Sequence, residues 1–157
     1  MSEFNYSCKF HGKSENIKEI EKYLESKDEG GFIEDGNILF LNLEYNIIDD
    51  NNLTLFFDCS INSFKWLKKI SKKFSLDLNC NISEGLIFGN YFAIRTFRSN
   101  DDIDKSYVLK QKHYSKVEIN EDRYILNGKK YDNSDVPLIL CEDLVLQEFG
   151  EKIISFN

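Results

Sequence analysis

From Phe4 the chain alternates apolar and polar side chains, with Phe4, Tyr6, Cys8 and Phe10 separated by Asn5, Ser7 and Lys9. A period of two is that of a half-buried strand, and His11-Gly12 punctuates its end. The period then changes. Ile17, Ile20 and Leu24 recur at three- and four-residue steps and so share one face of a helix. Ser14 can cap that helix, Glu15 and Glu19 lie near its positive end, and Gly30-Gly31 stops it. Phe32-Ile33 and Ile38 to Tyr45 read as strands separated by the turn Asp35-Gly36-Asn37, and Leu53 to Cys59 as another after a polar loop.

Asn62 or Ser63 can cap a second helix, in which Phe64, Leu67, Ile70 and Phe74 fall on one face. Leu76, Leu78 and Cys80 alternate again, and Leu86 to Thr96 continues in strand after the turn at Glu84-Gly85. Ser99 to Lys105 has the composition of an exposed connection. Tyr107 to Tyr114, Lys116 to Ile119 and Arg123 to Tyr131 are short and strand-like, with Asn127-Gly128 suited to a tight hairpin. Asp135 and Pro137 followed by Leu138, Cys141, Val145 and Phe149 fit a capped amphipathic helix ended by Gly150, and two strands are the alternative. The order predicts one α+β domain over residues 1–157. Its core, residues 1–98, is expected to be an antiparallel or mixed sheet with two helices on one face, a ferredoxin-like split βαβ arrangement. A mostly β extension over 99–157 packs on it, with the possible last helix.

The run from Phe4 to Gly12, the helix through Ile17 and Leu24, and the segments Leu53 to Cys59, Asn62 to Phe74 and Leu76 to Ile82 followed by Glu84-Gly85 resemble the YubB ferredoxin-like family of plasmid and phage proteins. The resemblance covers residues 1 to about 94. It implies a fold and a mobile-element origin, and it transfers no site residue.

At 157 residues, with 41% apolar and 30% charged residues and one proline, the chain is long enough to bury its own core and lies far from disordered compositions. Its apolar runs are far shorter than the ~20 residues that span a bilayer. Met-Ser-Glu-Phe-Asn carries neither a basic start nor an apolar signal core, so a cytoplasmic location without membrane contact is expected.

No phosphate-binding glycine loop, metalloprotease motif or nucleophile elbow occurs, and no cofactor or metal is expected. Cys8 and His11 form one C-x-x-H pair without a second to complete a zinc site. Cys8, Cys59, Cys80 and Cys141 read as reduced core residues. A catalytic site assembled in space from His11, His113, Cys8, Cys59 or Tyr91 is one reading, against the plainer one of structural or surface side chains.

Charge is the distinctive feature. Lys65, Lys68, Lys69, Lys72 and Lys73 give the second helix +5 while the chain is −7, leaving −12 elsewhere. The lysine stripe is either a solvated face or, with Arg95 and Arg98, a phosphate or nucleic-acid contact, which the overall sign opposes. Asp101, Asp102 and Asp104, Asp49 and Asp50, and Glu118, Glu121 and Asp122 are either ordinary loop charge or contacts for a basic protein surface. The expectation is a non-enzymatic acidic inhibitor of anti-defence type, such as an anti-CRISPR, or of toxin-immunity type. Its partner would be a protein with a basic surface, for example a nuclease or a CRISPR effector.

Overall fold

β1 (Phe4–His11) runs through a sheet and is paired on both sides, to β4 (Asn52–Cys59) and to β5 (Asp77–Glu84). The structure, a computed structural model, describes residues 3–62, 64–85, 88–121, 123–132 and 138–150. Outward from β4 lie β3 (Ile38–Asp49) and β2 (Ile33–Asp35); outward from β5 lie β6 (Phe92–Arg98) and β7 (Ile103–Val108). The seven strands take the order β2-β3-β4-β1-β5-β6-β7, and every neighbouring pair is antiparallel.

The alternation in sequence decides which face each side chain takes. Tyr6, Cys8 and Phe10 stand beside Leu53, Leu55, Phe57, Leu78, Cys80 and Ile82, all buried on one face. Two helices cover that face. α1 (Ser14–Lys27) buries Ile17, Ile20 and Leu24; α2 (Lys65–Lys73) buries Trp66, Leu67 and Ile70. Trp66 stacks on Phe40 with centroids 4.5 Å apart and meets Phe57 edge-on. Each large side chain buried in this way contributes on the order of 1.5–3 kcal/mol. The capping expectations are corrected: Lys13 precedes α1, Phe64 precedes α2, and neither supplies a side-chain cap bond. Ser63 lies outside the described residues.

A second core forms on the other face. α3 (Gln111–Tyr114), a three-stranded sheet of β8 (Glu118–Asn120), β9 (Arg123–Leu126) and β10 (Lys129–Asp132), and α4 (Leu138–Phe149) contribute to it. Leu140, Leu144 and Val145 pack with Phe92, Tyr107, Leu126 and Tyr131. Asn127 and Gly128 both take positive φ, 51° and 82°, as the tight turn between β9 and β10 requires. Residues 138–149 form a helix rather than two strands. The expected cap and first turn, at Asp135 and Pro137, lie outside the described residues.

The fold-class expectation is corrected. The structure is mostly antiparallel β, a seven-stranded and a three-stranded sheet with four short helices, with about 45% of the described residues in strands against 28% in helices. A two-helix ferredoxin-like split βαβ with a β-rich extension does not describe it. β6 and β7 continue the main sheet, β3 is one strand of 12 residues, and α4 lies on the face opposite α1 and α2. Tyr107 to Tyr114, expected as one strand, divides into the end of β7 and α3. The physical reason is that 3.6-residue periodicity in two helices is conspicuous, whereas pairing partners of short strands leave no local mark.

Candidate functional surface

The charged residues singled out in the sequence do not form two opposed patches. Arg95 on β6 makes a bidentate pair with Asp104 on β7, at 3.1 and 2.9 Å, and its guanidinium lies 4.2 Å from the centre of the Phe64 ring. Lys68 reaches the same carboxylate at 3.6 Å, and Lys72 lies 3.0 Å from Asp102. Hydrogen bonding from Lys72, with the charge of Lys72 and Lys68 behind it, holds the Asp102 carboxyl below the usual carboxylate range. The lysine helix and the aspartate loop are therefore each other's partners. Lys65, Lys69 and Asp101 stay exposed at this corner, while Arg98, mostly buried, lies 3.8 Å from Asp77.

The other acidic candidates are dispersed. Asp49 and Asp50 sit at the β3–β4 turn, toward the end of the sheet away from β7. Asp49 accepts from the Asn51 backbone N–H and from the Asn52 side chain, which lower its pKa and tie it into the turn. Glu118 and Glu121 belong to the three-stranded sheet and its β8–β9 connection, and Asp122 lies outside the described residues.

Sequence reading by loops missed the larger acidic region. Residues 13–50 hold eleven acids and four lysines, a net −7 equal to the charge of the whole chain. Among the described residues the one ion pair these acids make is Glu19 with Lys22. Glu21, Glu25 and Asp28 gather around Tyr45 of β3, whose phenol pKa is raised by burial first and then by those three charges. α1 and β3 thus share one acidic surface. Beside it, β3 from Glu44 to Asp49 has a strand partner on one side alone among the described residues, because β2 ends its pairing at Phe40. Ile47 and Ile48 are exposed there.

Among the described residues, the face of β1, β3 and β4 opposite α1 and α2 is open beyond the reach of α4. Phe56 and Asp58 project from it, since Phe57 between them enters the core. They line a pocket of about 230 Å³ together with Asn5, Asn42, Asn81 and Leu138. Asn5 donates to one oxygen of Asp58 at 2.5 Å, Asn42 to the other at 2.8 Å, and Asn81 to Glu142 of α4 at 2.7 Å. Burial pushes the Glu142 pKa up, and the Asn81 bond opposes that shift.

Of the groups considered for catalysis, the two histidines are held by neighbouring polar atoms and the cysteines are buried. Cys8 and His11 are three residues apart on one strand and so point to opposite faces, and His11 Nδ1 lies 2.9 Å from the Asn52 amide oxygen. His113 Nδ1 accepts from the Lys110 backbone N–H at 2.8 Å, closing the start of α3. The four cysteines are buried and free. Burial pushes the Cys8 thiol well up and Cys141 up to about 12, which leaves little thiolate for nucleophilic work. No group of three or more His, Cys, Asp or Glu that could hold a metal forms among the described residues. No described helix is long and apolar enough to cross a membrane. The chain matches no protein-family model, and no curated protein or solved structure resembles it at a significant level.

Proposed function

We propose that this protein is a non-enzymatic binding protein that docks through its acidic α1–β3 surface on a basic surface of a protein partner. The observation that carries the reading is the net −7 of residues 13–50, whose one ion pair among the described residues is Glu19 with Lys22, on a surface bordered by the edge of β3, which lacks a second strand partner among those residues, and by exposed Ile47 and Ile48. Opposite fields speed encounter and orient it, while a strand edge and apolar side chains supply contacts that persist after docking. The anti-defence or toxin-immunity setting, with a nuclease or CRISPR effector as partner, accords with the mobile-element resemblance and belongs to the same proposal. Direct nucleic-acid binding by Lys68, Lys72 and Arg95 is disfavoured because these groups are already engaged by Asp102 and Asp104.

The test uses the purified partner, identified by affinity capture from the native host. Its association rate with the wild-type protein is expected to fall roughly tenfold or more as salt rises from low to physiological strength. Glu21→Lys with Glu25→Lys should slow association by a similar factor, and Lys65→Ala with Lys69→Ala should leave it unchanged. Loss of binding in the lysine variant with full binding in the glutamate variant would overturn the reading.

A further inference from the structure

We propose that the pocket between Phe56 and Asp58 receives an arginine side chain presented by the partner protein. The inference rests on the docking reading above and names the chemistry of its anchor. Of the groups lining the pocket, Asp58 is the one acid and none is a lysine or arginine. Asn5 and Asn42 direct amide N–H groups at Asp58, and Asn81 directs one at Glu142. An amide whose nitrogen faces a carboxylate turns its oxygen away from that carboxylate. The amide oxygens so turned, the remaining lone pairs of Asp58, the hydroxyls of Ser7 and Ser83, which can accept as well as donate, and the ring of Phe56, 39% exposed, are then what the wall offers a ligand. Such a wall favours a cation rich in donors. A carboxylate or phosphate would meet Asp58 with no compensating positive charge.

Planarity favours guanidinium over ammonium. A guanidinium carries five donors in a flat fork and stacks on aromatic faces, whereas an ammonium is a compact, strongly hydrated point charge. The chain itself contains the arrangement once with its arginine in place. Arg95 lies over the ring of Phe64 at 4.2 Å and forks onto Asp104 at 3.1 and 2.9 Å. Phe56 and Asp58, two residues apart on one strand face, offer the same ring and carboxylate side by side to a guanidinium from outside. Glu44 of β3 pairs with Phe56 beside the pocket, while α1 carries its part of the −7 region on the other face of the sheet, so a basic partner drawn to that region reaches the pocket around the β3 edge.

N-acetyl-arginine methylamide titrated into the ¹⁵N-labelled protein is expected to shift the side-chain amide signals of Asn5, Asn42 and Asn81, with affinity on the order of millimolar as befits so small a probe. The citrulline analogue, of equal shape and no charge, should shift none of them, and the lysine analogue should bind roughly tenfold more weakly. Phe56→Ala should weaken the arginine probe, and Asp58→Asn should abolish its binding. Equal shifts from citrulline or lysine, or no shift of the three amides by arginine, would overturn the proposal without any variant having to fold. The two readings fail separately. A partner whose salt-dependent association is unaffected by Phe56→Ala and Asp58→Asn removes the pocket and leaves the acidic surface. A pocket that takes arginine while partner association ignores salt and Glu21→Lys with Glu25→Lys removes the surface instead.

Discussion

Two corners of this molecule handle charge in opposite ways. Where α2 meets β6 and β7, each of three cations lies within 4 Å of an aspartate, Arg95 and Lys68 of Asp104 and Lys72 of Asp102, with Arg95 backed by the Phe64 ring. Across α1 and β3, acids stand beside acids, and Tyr45 registers three of them at once. The lysine helix is the louder signal in the sequence, at +5 in thirteen residues, yet folding cancels much of it. The quieter region keeps its charge. Charge available to a partner is what remains after internal pairing, and pairing is a property of the sheet order.

The largest expected effect comes from undoing what holds the paired corner in place. Leu67 is fully buried under α2, so Leu67→Asp should unfold the protein or nearly so, because an unpaired carboxylate in the core adds to the lost burial. A wild-type melting temperature for that variant would show that α2 does not pack on the sheet by this face. A smaller loss is expected for Arg95→Ala, about 1–3 kcal/mol in denaturant unfolding. The pair is partly exposed, which reduces the cost, but Asp104 keeps a half-hidden carboxylate with Lys68 alone. A loss below about 0.5 kcal/mol would place this pair with ordinary surface ion pairs.

How much of this was legible beforehand differs between backbone and charge. Alternation at Phe4 to Phe10 and Leu53 to Cys59, three- and four-residue steps in α1 and α2, and the Asn127-Gly128 turn were all readable as local elements. Trp66 was not assigned to the buried face of α2, because Phe64, Leu67, Ile70 and Phe74 already completed a helical stripe; the aromatic cluster of Phe40 and Phe57 is what draws it in. The pairing of Lys72 with Asp102 spans thirty residues and depends on β7 lying beside β6, which no local pattern encodes. The Phe56 and Asp58 pocket was half legible: alternation puts both residues on the face opposite Phe57. Asn5, Asn42 and Asn81 join them through strand order alone.

The smallest expected effects separate the two corners by their sign. Lys72→Ala removes an exposed pair and should lower stability by about 0–1 kcal/mol, whereas Glu21→Lys with Glu25→Lys relieves like-charge crowding and should raise it by a few tenths. Both differences should shrink when thermal melts are repeated at roughly 0.5 M salt, where the screening length falls to about 4 Å. Shifts of the same sign in the two variants would mean that the corners are not electrostatic opposites.

The free edge of β3 carries a consequence for self-association. A long strand whose backbone from Glu44 to Asp49 has a strand partner on one side alone among the described residues, with exposed Ile47 and Ile48, is a template on which another copy of the chain can add. Glu44 and Asp49 stand along the same stretch, within a region already at −7. Two copies approaching edge to edge bring these carboxylates toward their own counterparts before any backbone bond forms, so the repulsion acts first. The charge proposed to attract a basic partner therefore also keeps the strand from recruiting its own kind.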